Sequence, residues 1–193
     1  MNELFPIYVK LAEIQTLLVG GGPVALEKLQ AIVANSPYAK VHIVAEQVDE
    51  EVRTFVDGKQ TLHISERKFE DTDVEQVDLI VLATNNDTIN EYIRSLASQR
   101  HILLNVADKP ALCDFYLGSV VRKGNLKIGI STNGKSPTIA KRIKEFLEEL
   151  LPEEIDETLE LMAQLRNGLK GDFQKKIQIL NAHTKEILEK KNI

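Results

Sequence analysis

The chain has 193 residues, of which 43% are hydrophobic and 27% are charged, and its formal net charge is −5. This composition provides enough apolar side chains for one domain with an appendage. The negative charge argues against a general nucleic-acid binder, and no apolar stretch approaches the roughly 20 residues of a membrane-spanning helix. The N-terminus does not resemble a signal peptide, and the single cysteine, Cys113, excludes an internal disulfide, so a cytoplasmic protein is expected.

Short apolar runs alternate with helical patterns in the first half of the chain. Strands are predicted at Gln15–Val19, Val41–Ala45, Thr61–Ser65, Leu79–Ala83 and Ile102–Val106. Helices are predicted from Pro23, over 47–56 and over Thr88–Gln99. Because strands that alternate with helices join through right-handed crossovers, this order predicts an α/β fold with a parallel sheet within residues 1–112.

The pattern changes in the second half. Two strand-like runs are joined by a glycine-containing connection of hairpin length, and they span Phe115–Arg122 and Leu126–Thr132. A helix is predicted to start with Ser136 as its cap and Pro137 at its first position, and to end near Leu151. We therefore expect a small β-containing segment over residues 113–150 and a helical C-terminal domain over residues 151–193.

The strongest local signal is the glycine-rich turn between the first strand and its helix, Val19-Gly-Gly-Gly-Pro-Val-Ala25. It fits the pattern G-x-G-x-x-A. The first glycine permits a tight turn, the second lets the backbone approach a pyrophosphate, and the alanine allows close packing of helix on strand. The position of the motif predicts a Rossmann-like domain that binds NAD through Gly20, Gly22, Pro23, Val24 and Ala25.

Two further segments are candidates for the cofactor site. Glu46, with Gln47 beside it, follows the second strand at the distance expected for the acid that binds a ribose 2′-hydroxyl, which favours NAD over NADP. A merely solvated Glu46 fits the spacing equally well. Thr84 and Asn85 follow the fourth strand, where ligands bind in open parallel sheets, although the same segment can also cap the next helix through Asn86 or Asp87.

Asp108 follows the fifth strand and is expected on the same edge of the sheet. A carboxylate there can accept a proton as a hydride leaves. The sequence D-x-P is also typical of a plain turn, so these residues alone leave the role of Asp108 open. The histidines are scattered, without a pair at metal-ligand spacing, so no metal site is expected; they are His42, His63, His101 and His183.

Five segments in this order together resemble the precorrin-2 dehydrogenase family, which includes the N-terminal part of siroheme synthases and bifunctional dehydrogenase/ferrochelatases. They are Leu4–Val9, Val19–Ala25 with Lys28, Ala83–Asp87, Asn105–Asp108 with Pro110, and Ile130–Pro137. The resemblance implies NAD-dependent oxidation of precorrin-2 to sirohydrochlorin, with Asp108 important to catalysis. It also implies a homodimer assembled through the segment 113–150. Thr132 stands where relatives often carry a serine, which is phosphorylatable in some members.

The charge distribution suits such a substrate. Residues 122–144 include seven basic and no acidic side chains, and precorrin-2 is a flexible polycarboxylate. The candidate substrate-binding residues are Asn105, Thr132, Lys135, Ser136, Lys141 and Arg142. A solvated basic face is the alternative, because the next stretch, 145–160, carries eight acidic and no basic residues.

Two other functions are compatible with the sequence. One is a bifunctional dehydrogenase/chelatase that also inserts Fe²⁺ or Co²⁺, with Asp108 accepting pyrrole protons. The other is a non-catalytic NAD-sensing module. The helical tail carries no DNA-binding pattern that could serve as an output, which favours the enzyme.

Overall fold

The computed structural model describes residues 2–169, 177–179 and 181. His183 and most of the helical region predicted beyond residue 169 lie outside the described residues. The chain divides into two compact units. The first contains the chain up to Ser119 together with Ser131–Pro137, and the second contains Val120–Ile130 and the described residues from Thr138 onward.

The first unit is a parallel five-stranded sheet with helices between its strands. Its elements are β1 (Gln15–Val19), α1 (Pro23–Asn35), β2 (Lys40–Ala45), α2 (Glu50–Val56), β3 (Leu62–Glu66), β4 (Leu79–Leu82), α3 (Asp87–Arg100) and β5 (Leu103–Val106). The strand order is β3-β2-β1-β4-β5, and all pairs are parallel. The predicted Rossmann-like architecture is therefore confirmed. The chain runs outward from β1 to β3 and returns to β4, so the topological switch point lies between β1 and β4, where open α/β sheets bind ligands.

Both faces of the sheet are buried, which explains why its strands have continuous apolar sequences. Leu17 and Leu18 are both 0% exposed although they point to opposite faces. Leu18 belongs to a cluster with Ala25 and Leu29 of α1, and Leu17 belongs to a second cluster that contains Ile93 of α3. The helices therefore cover opposite faces and leave the carboxyl edge of the sheet to the loops.

The helices beside the switch point start differently. The side chain of Asn86 caps α3 by accepting a hydrogen bond from the amide of Ile89 at 3.2 Å. Helix α1 starts at Pro23, and its N-cap residue is Gly22, which has no side chain to cap the helix. The amide groups of the first turn of α1 are thus left for another partner.

The second unit contains a hairpin and two helices. Its elements are β6 (Ser119–Lys123), β7 (Leu126–Ile130), α4 (Pro137–Leu150) and α5 (Ile155–Gly168), although Ser119 and Pro137 themselves belong to the first unit. Gly124 forms the turn with a φ of +55°. The Asp156 carboxylate of α5 accepts hydrogen bonds from the backbone and side-chain amides of Asn125 at 2.6 and 3.0 Å, which fixes the turn against α5.

Three predicted elements were too long, and one of them is the second hairpin strand, which ends at Ile130 and not at Thr132. The helix predicted over 47–56 begins only at Glu50, because Val48 and Asp49 donate their amides to Glu66 and Gly21 at 3.2 and 2.9 Å. The strand predicted from Phe115 begins only at Ser119. No described helix is both long and apolar enough to cross a membrane.

Candidate cofactor and active site

Gly20 and Gly21 are enclosed by protein on the inner side of the glycine loop. Gly20 has a φ of +128°, and a Cβ atom there would lie 2.4 Å from the carbonyl oxygen of Ala83. A Cβ atom at Gly21 would lie 2.2 Å from the carbonyl oxygen of Gln47. Any side chain at either position would collide with backbone, so these two glycines are needed for the loop to fold.

Gly22 has a different environment. Its φ is −96°, which other residues adopt readily, and a Cβ atom there would meet only the Asp49 Oδ2 atom, at 3.8 Å. A cavity of about 200 Å³ adjoins this position and is lined by Gly22, Pro23, Leu26, Asp49, Glu51 and Val52. The open space beside Gly22 and the uncapped first turn of α1 fit the pyrophosphate of a dinucleotide. Half-buried Val24 and buried Ala25 belong to the same turn, where Ala25 packs against the sheet.

Asp49, which the sequence did not single out, is an acidic residue beside the glycine loop, with its Oδ2 atom 3.8 Å from the position of a Cβ atom at Gly22. Its backbone amide donates to the Gly21 carbonyl at 2.9 Å. Glu46 and Gln47 are exposed after β2. The acid of the neighbouring strand, Glu66, is already paired with Arg53 at 2.5 Å, which lowers the pKa of Glu66. Asp49 is the N-cap residue of α2. An aspartate directly before a predicted helix in the loop after β2 is the feature of the sequence that could have marked Asp49 as a candidate.

The loop after β4 is internally bonded. The Thr84 hydroxyl donates to the Asn90 side chain at 3.2 Å and accepts from the Asn86 amide at 3.1 Å. Asn90 is fully buried and donates back to the Thr84 carbonyl at 3.1 Å. The predicted cap is therefore formed by Asn86, not by Asp87. Asn85 is exposed on this loop, so a contact between Asn85 and the cofactor stays a prediction.

Asp108 lies at the end of β5 with its side chain exposed and a φ of +58°. Aspartate adopts this left-handed conformation more readily than most residues, and here it turns the chain after β5. The Cys113 Sγ atom fixes this loop, because it accepts from the Val106 amide at 3.2 Å and donates to the Lys109 carbonyl at 3.3 Å. Cys113 is half-buried, and this burial raises the pKa of its thiol.

An ion pair joins the loop after β5 to the first residue of α3. The Lys109 ammonium contacts the Asp87 carboxylate, and the two side chains are 32% and 71% exposed. These residues are 22 positions apart. The pairing could not be predicted from spacing, because it depends on β4 and β5 being neighbours in the sheet.

The predicted substrate-binding residues have contrasting environments. Asn105 is only 6% exposed, and its side-chain amide donates to the Phe115 carbonyl at 2.8 Å. This hydrogen bond fixes the chain that follows β5. Thr132 and Ser136 bond each other in one turn, at 3.1 and 3.2 Å. Lys135 is exposed in the first unit, and Lys141 and Arg142 are exposed on α4 in the second. Their contacts with substrate stay predictions.

Of the four histidines that the sequence shows to be scattered, the structure describes His42 and His63 on strands and His101 after α3. His42 Nε2 lies 2.8 Å from the Ser65 hydroxyl, and burial lowers the pKa of His42. Among the described residues, no three His, Cys, Asp or Glu side chains are grouped so that they could hold a metal ion.

Residues 7–119 match an NAD(P)-binding family, and the chain belongs to it. A nicotinamide dinucleotide is accordingly its cofactor. Residues 123–150 match the family described as sirohaem biosynthesis protein central.

Individual relatives make the class more specific. The siroheme synthase of Vesicomyosocius okutanii subsp. Calyptogena okutanii (strain HA) is 37% identical over 175 residues, which are 91% of this chain and 37% of that protein. The siroheme synthase of Baumannia cicadellinicola subsp. Homalodisca coagulata is 33% identical over 168 residues, 87% of this chain and 36% of that protein. The chain thus spans little more than a third of the length of these relatives. The resemblance recognised from the motifs is confirmed.

A solved structure supports the fold. SirC, a precorrin-2 dehydrogenase, matches with a TM-score of 0.75 over 97% of this chain and 94% of that chain. The sequence identity is 23%, so this likeness establishes a shared fold.

Proposed function

We propose that this chain oxidises precorrin-2 to sirohydrochlorin with NAD⁺ as the hydride acceptor. The observation that carries the proposal is the arrangement of one edge of the sheet. The open N-terminus of α1 follows β1, and Asp108, in its left-handed conformation, follows β5. The match of residues 123–150 to a sirohaem biosynthesis family and the names of the relatives support this substrate.

The residues of the chain divide the chemistry between them. NAD⁺ bound at the glycine loop supplies the acceptor for the hydride. The backbone at Gly22 and the first turn of α1 would hold its pyrophosphate, and an acid after β2, either Asp49 or Glu46, would accept hydrogen bonds from a ribose. Asp108 would take the proton that leaves the substrate together with the hydride. Substrate and NAD⁺ are thereby converted to sirohydrochlorin, NADH and a proton.

Asp108→Asn tests the proposal, because it keeps the size of the side chain but removes the base. Oxidation of precorrin-2, followed anaerobically by the absorbance of sirohydrochlorin, should fall by roughly 10²-fold or more. The affinity for NAD⁺ should persist, since Asp108 lies outside the glycine loop. Normal turnover by Asp108→Asn would remove this residue from the mechanism. Turnover by the wild type would exclude a purely NAD-sensing module.

The same preparation tests the bifunctional alternative. Wild-type protein is supplied with sirohydrochlorin and Fe²⁺ or Co²⁺, without NAD⁺. Metal insertion above the uncatalysed rate would establish a second activity. Its loss in Asp108→Asn would assign proton removal in both reactions to one carboxylate.

The proposed enzyme is a homodimer. Helix α4 supports this part of the proposal because an apolar stripe runs along it with helical spacing. In the single chain its members are 40–62% exposed, and they are Ile139, Ile143, Phe146 and Leu150. Phe146→Glu should shift the protein toward monomer in sedimentation equilibrium. A wild-type monomer at micromolar concentration would contradict the homodimer.

A further inference from the structure

The Lys109–Asp87 ion pair lies beside the proposed catalytic residue. β4 and β5 are neighbours, with Leu82 paired to Val106, and the Ala107 amide continues the pairing by donating to the Leu82 carbonyl at 2.9 Å. Lys109 directly follows Asp108 in the loop after β5. Its ammonium is therefore held at the same edge of the sheet as the Asp108 carboxylate.

The backbone of Lys109 is fixed, whereas its ammonium has an exchangeable partner. The Lys109 carbonyl accepts hydrogen bonds from the Leu112 amide at 3.0 Å and from the Cys113 thiol at 3.3 Å. The partner of the ammonium, Asp87, is 71% exposed. An ion pair whose carboxylate lies largely in water contributes little to stability, so the ammonium can leave Asp87 for another anion at low cost.

We infer that Lys109 binds a carboxylate of the substrate and that Asp87 is the counter-ion it leaves when the substrate arrives. The inference rests on the proposed function, in which the substrate is a polycarboxylate. An ammonium on a flexible stem has three rotatable donors, so it can follow a carboxylate while the ring system settles against Asp108. Asp87 competes with the substrate for the same cation. Lys109 and Asp87 therefore act in opposite directions on substrate affinity.

Kinetics of three variants test this opposition. Lys109→Gln should raise the KM for precorrin-2 roughly tenfold, the effect of losing one charge-assisted hydrogen bond. Asp87→Asn should lower the KM by about two- to fivefold, because Lys109 then has no competing anion. The double variant should match Lys109→Gln. If the pair only braces the loop after β5 against α3, both single variants will impair turnover in the same direction, and that result would overturn the inference.

Lys10→Gln is the matched control. Lys10 forms an exposed ion pair with Glu13 at 3.1 Å. It lies at the opposite, amino edge of the sheet, where the adjacent Leu11 carbonyl accepts from the amide of Lys40 at the start of β2. Its KM should equal that of the wild type. Thermal unfolding of Asp87→Asn is measured in parallel, because a carboxylate in the first turn of α3 also stabilises that helix.

A binding titration separates this inference from the proposed function. Uroporphyrin, a stable porphyrin with carboxylate side chains, is titrated into each variant and its fluorescence is followed. A wild type that fails to oxidise precorrin-2 refutes the proposed function but leaves this titration interpretable. Weaker uroporphyrin binding by Lys109→Gln and tighter binding by Asp87→Asn support the carboxylate site. Equal affinities in the wild type and Lys109→Gln overturn it.

Discussion

Substitutions at Gly20 and Gly22 should have opposite consequences although the residues are two positions apart. At Gly20 a side chain must adopt a φ of +128° with its Cβ atom 2.4 Å from the Ala83 carbonyl oxygen. A disfavoured backbone conformation costs about 1–3 kcal/mol, and overpacking costs about 1–3 kcal/mol. Gly20→Ala should therefore destabilise the fold by about 2–6 kcal/mol, which lowers the melting temperature by roughly 5–20 °C in a chain of this size.

At Gly22 the fold itself leaves room, because the nearest atom to a Cβ would be 3.8 Å away. Gly22→Val should change the free energy of unfolding by less than about 1 kcal/mol. The valine side chain would instead occupy the space that the pyrophosphate needs. Losing one hydrogen bond to a charged group costs about 1.5–3 kcal/mol, so the Kd for NAD⁺ should rise roughly 10- to 150-fold.

Thermal unfolding and calorimetric titration with NAD⁺ measure the two effects separately. Gly20→Ala should mainly lower the melting temperature, and Gly22→Val should mainly raise the Kd for NAD⁺. A folded Gly22→Val protein with wild-type affinity for NAD⁺ would refute the assignment of the cofactor site. Equal destabilisation by both substitutions would refute the distinction between an enclosed and an open glycine.

Asp49→Asn should reduce the preference for NAD⁺ over NADP⁺ more than Glu46→Gln does, because the Asp49 carboxylate approaches Gly22. Titration with both nucleotides measures this preference. Equal affinities of the wild type for NAD⁺ and NADP⁺ would contradict an acid at the ribose. Replacing Lys141 and Arg142 together by Ala should raise the substrate KM and weaken the salt dependence of this KM, while the affinity for NAD⁺ stays unchanged. If the double variant has the same kinetics as the wild type at low and at high salt, the basic stretch 122–144 is only a solvated surface. Burial alone would raise the pKa of Asp73, but hydrogen bonds from Arg67 at 2.5 and 2.8 Å hold it below the usual 3.8. The stability that Asp73 contributes is therefore complete above about pH 3.8 and is lost as the pH falls through the lowered pKa. Denaturant titrations at several acidic pH values should show a weaker loss of stability for Asp73→Asn than for the wild type. The same pH profile in both proteins would contradict this role of Asp73.

The parallel sheet was predictable from the sequence because burial on both faces leaves a local trace. Strands such as Leu79–Leu82 are apolar at every position, and the chain offers turn residues between them. The glycine loop was predictable for a related reason. The residues that its conformation requires, Gly20 to Gly22, are consecutive in the sequence. Expected and observed strand bounds in the sheet differ by one residue at most.

Contacts between segments distant in the sequence decided the rest of the site. Asp49 approaches Gly22 because the β2–α2 connection bonds to the glycine loop, and Lys109 meets Asp87 because β4 and β5 are adjacent. The expected strand from Phe115 starts only at Ser119, and the Phe115 carbonyl accepts instead from the Asn105 side chain, 10 residues earlier in the chain. The periodicity of apolar residues indicates which face of a helix or strand is buried, and this pattern lies in residues that are close together in the sequence. The partner of a polar group depends instead on which strands and loops the fold places side by side, which is decided by the free energy of the whole packed sheet.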